Sequence, residues 1–212
     1  NSFDNFHPDR QKIYRVASEF QTQDGIDYSA GIGFPVAEGL RLDFPDIKQV
    51  AAIYKEGGQI TINKNSSDPE KFLELEVYYT EPSFFSLFNF PFAEGNAQNA
   101  FKNPNGALMT KATATKYFGG WENAIGKTFT FKNKYLHTVT GILDDIPANS
   151  DFPLSVVLPM EAMKQTELAE NFRDWVSTMG TLNVYMRMPD GMSEAQMNTQ
   201  LKAFAKKHKP EQ

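Results

Sequence analysis

The sequence of 212 residues predicts an α+β fold, and three segments carry this prediction. Residues 72–80 alternate apolar and polar side chains with a period of two, which is the pattern of a β-strand in a sheet with one solvated face. Residues 127–143 contain two more alternating stretches around a polar turn, which predicts a β-hairpin. Residues 193–209 carry apolar side chains at helical spacing, so they predict an amphipathic helix that packs on a sheet. Strands and helices that mix without regular β–α–β alternation are typical of the α+β class.

The remaining elements follow from apolar runs and from the turn residues between them. Strands are predicted at residues 12–20, 50–55, 59–63, 107–110, 154–160 and 181–188. Helices are predicted at residues 35–42, from Pro82 onward, at residues 111–118 and at residues 161–172. We expect a loop at residues 96–106, and Gly57-Gly58 is expected to separate two strands. Ser193 and Gln196 form a capping box at the start of the last helix.

Two groups of apolar side chains are expected to be buried. One face of the strand at residues 72–80 carries Leu73, Leu75, Val77 and Tyr79. Five Phe side chains lie within residues 84–92, and they predict a buried cluster at a junction between lobes, because burial of Phe is strongly favourable. An exposed hydrophobic binding patch is the alternative interpretation of the same cluster.

The composition limits the partners and the chemistry. The formal net charge is −5, which argues against nucleic acid or an anionic membrane surface as the main partner, since both need a basic patch. The sequence contains no Cys, so it has no disulfide, no thiolate metal ligand and no Cys nucleophile. No apolar stretch reaches the ~20 residues that span a bilayer. Because the sequence lacks an initiator Met, we expect it to be a piece of a longer protein.

No group of residues predicts a catalytic, cofactor or metal site. Residues 119–128 are similar to a phosphate-binding P-loop, but the first Gly of that motif would fall at Trp121, and the segment leads into a strand rather than a helix. Asp144 and Asp145 are adjacent after a strand, where Asp is typical of a solvated turn. The three histidines match no metal-ligand spacing: His7, His137 and His208. The residues alone therefore favour an α+β domain without enzymatic activity.

Four segments carry a more specific pattern, at residues 6–16, 79–95, 110–127 and 139–150. In this order they resemble the periplasmic core domain of ABC-transporter permeases of the MacB-like and FtsX-like family, in particular its Bacteroidetes-type members. Ala124 departs from the family pattern, which commonly has Pro there. The matching residues, which we expect to be structural, are Asp9, Arg10, Ile13, Tyr14, Arg15, Val16, Pro82, Phe84, Phe85, Phe88, Ala114, Phe118, Gly119, Gly126, Lys127, Val139, Gly141 and Pro147.

The resemblance implies a two-lobed extracytoplasmic domain between two membrane helices of a permease. Residues 1–80 and 151–212 would form a porter-like β–α–β lobe, and residues 81–150 would form a smaller, inserted, strand-rich lobe. The implied role is mechanical and non-catalytic: a cytoplasmic ATPase subunit moves the membrane helices, and the domain passes this movement to substrate export or to a regulated partner.

The resemblance also implies a location and a set of partners. The parent protein would lie in the inner membrane, with this domain in the periplasm. The implied partners are the cytoplasmic ABC ATPase subunit, reached through the membrane part, a second permease copy, and a periplasmic adaptor or outer-membrane channel. No cofactor and no nucleic acid is implied.

Two functions of other classes stay open at this point. A free-standing extracellular module that binds carbohydrate or peptide would need exposed aromatic side chains, and its candidates are Tyr78, Trp121, Trp175 and Tyr185. A hydrolase would need two carboxylates that converge within roughly 5–10 Å, and its candidates are Asp144, Asp145 and Asp174.

Overall fold

The computed structural model describes residues 12–63, 68–147 and 149–209. The strands in these ranges are β1 (Ile13–Val16), β2 (Ser18–Thr22), β3 (Gly25–Ser29), β4 (Val50–Ile62), β5 (Glu70–Thr80), β6 (Phe92–Glu94), β7 (Gly106–Thr110), β8 (Thr128–Phe131), β9 (Tyr135–Leu143), β10 (Val156–Pro159) and β11 (Leu182–Arg187). The α-helices are α1 (Val36–Asp43), α2 (Pro82–Phe88), α3 (Ala97–Ala100), α4 (Lys111–Phe118) and α5 (Glu194–His208). The predicted α+β class is confirmed.

Most strands belong to one sheet that closes on itself. Its order is β1-β11-β4-β5-β10-β7-β9-β6, and β8 pairs with both β4 and β9. The strands β4, β5, β10, β7, β9 and β8 therefore form a closed ring, and β11 and β1 extend this ring along the first half of β4. The ring pairs β5–β10 and β7–β9 are parallel. The hairpin β2–β3 lies outside this sheet.

The sheet buries one apolar cluster on each of its faces. The inside of the ring holds large side chains that are almost fully buried, among them Ile60, Tyr79, Phe129 and Phe131. The other face, across β4, β5, β10 and β7, is covered by α2 and its Phe side chains. Each buried ring contributes about 1.5–3 kcal/mol by leaving water, so both clusters stabilise the same sheet.

Several predicted elements are confirmed. The hairpin at residues 127–143 corresponds to β8 and β9, which pair in antiparallel register. The last helix begins at a capping box in which Ser193 and Gln196 exchange hydrogen bonds. The Phe cluster is buried, with Phe84, Phe85, Phe88 and Phe90 each at most 6% exposed. The interpretation of this cluster as an exposed patch is therefore wrong.

The prediction for β4 and β5 is wrong in two respects. Gly57-Gly58 lies inside one continuous strand, β4, and does not separate two strands. In β5, Leu75 and Glu76 together lie opposite Gly57, because Glu56 pairs with Val77 while Gly58 pairs with Glu74. This β-bulge reverses which face each side chain joins. Leu73 and Leu75 are consequently 73% and 61% exposed, whereas Val77 and Tyr79 are buried as expected.

The glycine pair is what allows the close approach at the bulge. A Cβ atom on Gly58 would lie 2.7 Å from a ring carbon of Phe131, and a Cβ on Gly57 would lie 3.2 Å from the Glu74 carbonyl oxygen. Glycine inside a strand often marks a bulge or such a close approach. Opposite the exposed leucines, Glu74 accepts a 2.7 Å hydrogen bond from the Tyr117 hydroxyl.

The helix predicted at residues 161–172 is also wrong. Two 3-10 segments, Met160–Gln165 and Ala169–Arg173, stand in its place. The Thr166 hydroxyl donates to the Met163 carbonyl oxygen and accepts from the Leu168 amide. These side-chain bonds compete with α-helical backbone bonds, so the segment turns at Thr166. Four short elements of the described residues were not predicted: β3, β6, α3 and a 3-10 segment at Trp121–Asn123.

The predicted division into lobes remains a prediction. Strands from residues 1–80 and 151–212 (β4, β5, β10 and β11) and strands from residues 81–150 (β7, β8 and β9) pair within the same sheet. Among the described residues, no helix combines the length and the apolar character needed to cross a bilayer.

Candidate functional site

A cleft of about 670 Å³ opens beside β11. Arg15 and Ser150, from two of the four motif segments, line it. A third motif segment supports it from below, since Phe88 of α2 packs against Tyr185 and Phe152, which also line the cleft. Segments that are far apart in the sequence therefore meet at this cleft.

The floor of the cleft is one face of β1, β11 and β4. Arg15 lies opposite Tyr185, and Asn183 lies opposite Ile53. Side chains two residues apart on a strand share a face, so Arg15 and Asn183 are diagonal neighbours on the same face. Diagonal neighbours are about 7–8 Å apart, which places both polar groups within reach of one small ligand.

Aromatic rings form the side of the cleft next to α2. The Phe88 ring lies 5.2 Å from Tyr185 and 4.9 Å from Phe152, and the Tyr185 and Phe152 rings are 5.5 Å apart. The two contacts of Tyr185 are near-perpendicular, an arrangement that aromatic pairs favour. The loop that carries Phe152 is held by the Ser150 hydroxyl, which accepts a 3.1 Å hydrogen bond from the Phe152 amide. These contacts give the cleft a fixed apolar wall.

The other end of the cleft contains a paired cation. Lys55 forms a 2.7 Å ion pair with Glu76, which also accepts a 2.7 Å hydrogen bond from the Tyr78 hydroxyl. Burial, and then this hydrogen bond to Glu76, raise the pKa of Tyr78 far above its ordinary value. Tyr78 is therefore a neutral phenol at physiological pH, and Lys55 adds little net charge.

Two polar groups of the cleft have no partner among the described residues. The Arg15 side chain is exposed and makes no hydrogen bond or ion pair with any described residue. The Oδ1 atom of Asn183 is buried and accepts no hydrogen bond from the described part of the chain. An unpaired buried acceptor is costly, so a ligand N–H that reaches the Asn183 oxygen would relieve this cost.

Other motif residues lie at turns and close contacts. Gly119 ends α4 at φ 81°, and Gly126 has φ 83°, a left-handed conformation that favours glycine. Lys127 leads directly into β8, which agrees with the rejection of a P-loop. A Cβ on Gly141 would lie 2.7 Å from a Leu108 methyl carbon and 3.3 Å from the Glu94 carbonyl oxygen, so β9 packs closely at this glycine.

The rest of the motif set is distributed over the sheet and its helices. Ile13, Tyr14 and Val16 lie in β1, Pro82, Phe84 and Phe85 in α2, Ala114 and Phe118 in α4, Val139 in β9, and Pro147 after β9. Asp9 and Arg10 fall outside the described residues. The expectation that these residues are structural remains a prediction.

The four aromatic candidates do not form one exposed surface. Trp175 stacks on His208 at 4.0 Å between ring centroids, and Trp121 packs under the Lys111 ammonium group at 5.0 Å. Tyr78 is 5% exposed. Only Tyr78 and Tyr185 line the cleft, and they do so as parts of its walls.

The three aspartates of the hydrolase hypothesis have different neighbours. Asp144 forms an ion pair with Lys111 at 2.6 Å, and Asp145 accepts a 2.7 Å hydrogen bond from the Ala112 amide at the start of α4. Asp174 accepts hydrogen bonds from Ser177 and from the Val176 amide, and these lower the pKa of its carboxyl group. The three therefore share no contact partner. No group of three or more potential metal ligands occurs in residues 12–63, 68–147 and 149–209.

Sequence reasoning missed Asn183, which supplies the unpaired acceptor of the cleft. The alternation of Leu182, Val184 and Met186 correctly predicts the buried face of β11. The same alternation assigns Asn183 and Tyr185 to the second face of β11, but it does not show that this face borders a cleft.

A family model identifies the family of this chain, and two solved structures share its fold. A family model described as the MacB-like periplasmic core domain matches residues 1–204. A crystal structure of a domain of a permease protein from Porphyromonas gingivalis has a TM-score of 0.76 and 19% identity, covering 96% of this chain and 84% of that one. The periplasmic region of MacB from Actinobacillus actinomycetemcomitans has a TM-score of 0.61 and 16% identity, covering 84% and 74%. The search of curated proteins found no significant match.

Proposed function

Because this chain belongs to the family of MacB-like periplasmic core domains, we propose that it is the non-catalytic, moving extracytoplasmic part of an ABC-transporter permease. Movement of membrane helices, driven by ATP hydrolysis in a cytoplasmic subunit, is passed through this domain to an exported substrate or to a regulated partner. The parent protein lies in the inner membrane, and the domain lies in the periplasm.

The observation that carries this proposal is the direct connection between β1 and α5. The Tyr14 hydroxyl donates a 2.8 Å hydrogen bond to Glu194 at the start of α5, and Lys12 forms a 2.7 Å ion pair with Asp190. β1 is also paired with β11 over its whole length. A force applied to either element therefore acts on the same sheet.

The far end of α5 is fixed to the body as well. Lys207 and His208 both contact Asp43 at the end of α1, at 2.7 Å and 2.9 Å. Along the helix, Met197 and Phe204 are buried in the main core. α5 is thus held along its length, as is required if the domain moves as a rigid body with the membrane helices of the permease.

The contacts of the candidate carboxylates support the non-catalytic part of the proposal. Each candidate carboxylate near α4 has a structural partner: Asp144 forms an ion pair with Lys111, and Asp145 accepts a hydrogen bond from the Ala112 amide. The partners in this proposal are the cytoplasmic ABC ATPase subunit, a second permease copy, and a periplasmic adaptor or outer-membrane channel.

The test uses the full-length permease with its ATPase subunit in lipid nanodiscs. The chain has no Cys, so Leu42→Cys, at a position 74% exposed, introduces one spin-label site in each copy of this domain. We expect the distance between the labels of two copies to differ between the ATP-bound and the nucleotide-free permease. A constant distance in a preparation that hydrolyses ATP would contradict the proposal.

A second label pair serves as the matched control. Leu42→Cys combined with Leu136→Cys, whose position is 59% exposed, measures a distance within one domain. This distance should not change with nucleotide if the domain moves as one body. If the distance within the domain changes while the distance between copies stays fixed, the domain rearranges internally and does not move as one body.

A further inference from the structure

We propose that the cleft beside β11 binds the C-terminal end of a peptide, with Arg15 holding the terminal carboxylate and Asn183 accepting a backbone N–H. Three features of the cleft point to this ligand: a cation and an acceptor that have no partner among the described residues, and an apolar wall. The inference concerns what the cleft binds, and it does not depend on the proposed coupling role.

Arg15 is suited to a carboxylate. Its guanidinium group makes no ion pair with a described residue, although the chain as a whole has a net charge of −5. A planar guanidinium group can donate two parallel hydrogen bonds to a carboxylate, which is a strong and directional contact. Arg15 therefore offers the cleft an exposed cation that can pair with an anionic ligand.

Asn183 requires a donor from the ligand. Its buried Oδ1 atom has no partner in the described part of the chain, and a carbonyl oxygen can accept but not donate. An amide N–H next to a carboxylate is the arrangement at the end of a peptide. Because Arg15 and Asn183 are diagonal neighbours on one face of the sheet, the carboxylate and an N–H of the same peptide end can contact both side chains.

The remaining lining favours a peptide over a polyanion. Ile53, Phe152 and Pro153 give the cleft an apolar surface for a side chain of the ligand. Asp151 also lines the cleft, and Lys55 is already neutralised by Glu76, so only one strong anion site is left. The two Trp side chains, which would favour a sugar ring, do not line the cleft.

The experiment titrates the ¹⁵N-labelled 212-residue chain with two probes and follows amide shifts by NMR. The first probe is N-acetyl-Ala-Phe with a free carboxylate, and the second is the same dipeptide with a C-terminal amide. We expect the carboxylate probe to bind about tenfold or more tightly than the amide probe, since hydrogen bonds to charged groups have this worth. The largest shifts should include the Asn183 side-chain amide.

Three variants separate the parts of the site. Arg15→Gln should lower the affinity for the carboxylate probe about tenfold and should leave the affinity for the amide probe unchanged. Asn183→Leu should weaken both probes, because both retain the N–H donor. Lys12→Gln is the matched control, since Lys12 is a cation near the same strand that pairs with Asp190 and does not line the cleft; it should change neither affinity.

Several results would overturn the inference. These are no binding of the carboxylate probe up to its solubility limit, equal affinity for the two probes, or shifts that map away from the cleft. Tighter binding of glucuronate than of the peptide would assign the cleft to an acidic sugar instead. Because the titration uses the chain alone, without nucleotide or ATPase, its failure leaves the coupling proposal untouched, and failure of the coupling experiment leaves this inference untouched.

Discussion

Lowering the pH from 7 to 4 should destabilise the fold through a single buried histidine. His137 is 2% exposed and its ring stacks on Phe129 at 5.5 Å between centroids. Burial lowers the pKa of this imidazole from 6.5 to about 4, although a hydrogen bond to the Asn105 backbone acts in the opposite direction. The ring is therefore neutral in the folded protein at pH 5, while it is mostly protonated in the unfolded chain.

The sign and the size of the effect follow from this difference in pKa. The unfolded chain binds more protons below pH 6.5, so the free energy of unfolding falls as the pH falls. The slope is about 1.4 kcal/mol per pH unit between the two pKa values. The loss that His137 causes should reach about 3 kcal/mol at pH 4 and level off below it.

The assay compares the protein with His137→Phe by urea unfolding at pH 7, 6, 5 and 4, with Trp fluorescence as the readout. A cavity of about 190 Å³ next to His137 gives the larger ring room. The Asn105 carbonyl oxygen keeps its 2.9 Å hydrogen bond from the Thr138 amide. We expect the variant to lose about 3 kcal/mol less than the parent between pH 7 and pH 4. If the difference between the two proteins is the same at all four pH values, the reasoning is refuted.

Three further predictions concern the free energy of unfolding in urea. Phe84→Ala should lower the free energy of unfolding by about 3–5 kcal/mol, because this ring is fully buried. Its control, Leu73→Ala at an exposed position, should change the free energy by less than about 0.5 kcal/mol. Similar losses in the two variants would contradict the assigned core. Gly39→Ala should cost about 1–3 kcal/mol, since the added Cβ would lie 2.5 Å from a Trp ring. Gly180→Ala, where a Cβ meets nothing within 4 Å, is its control and should be near neutral. Ser193→Ala should cost about 1 kcal/mol by removing the cap of α5, and an unchanged stability would mean that the capping box is not formed in solution.

Local sequence patterns predicted the elements whose neighbours impose no irregularity. β11 is paired regularly with β1 and β4 on its two sides, so its simple alternation is also its burial pattern. β8, β9 and α5 are marked by their own turn and cap residues in the same way. The pattern was sufficient wherever the element contains the signal for its own geometry.

The same pattern failed in β5 because the signal lies in another strand. The bulge at Leu75 and Glu76 depends on Gly57, which lies opposite them in β4. An alternation read along β5 alone cannot reveal an extra residue in the pairing. The helix expected at residues 161–172 failed for a different reason, since one hydroxyl, that of Thr166, takes over backbone hydrogen bonds.

The cleft could be predicted only in part for a related reason. Arg15 was selected through the family resemblance, but nothing in the sequence near it identifies Asn183 as its neighbour. The two meet because β11, from the last quarter of the chain, pairs with β1 near its beginning. Pairing across 170 or so positions along the chain depends on the whole fold, so a site built on it appears only when the sheet order is known.

The two proposals meet at β1, and this gives the coupling idea a specific mechanical route. Arg15 lies on the same strand as Tyr14, whose hydroxyl donates a 2.8 Å hydrogen bond to Glu194 of α5. A peptide held by Arg15 would therefore act on the strand that is tied to α5, and movement of α5 would in turn act on the ligand. Coupling of this kind is reciprocal: if one position of the domain binds the peptide more tightly, the bound peptide must in turn favour that position. The isolated cleft can bind without any such coupling, but if both proposals hold, Tyr14→Phe should leave peptide affinity in the isolated chain unchanged and should weaken its dependence on nucleotide in the full permease.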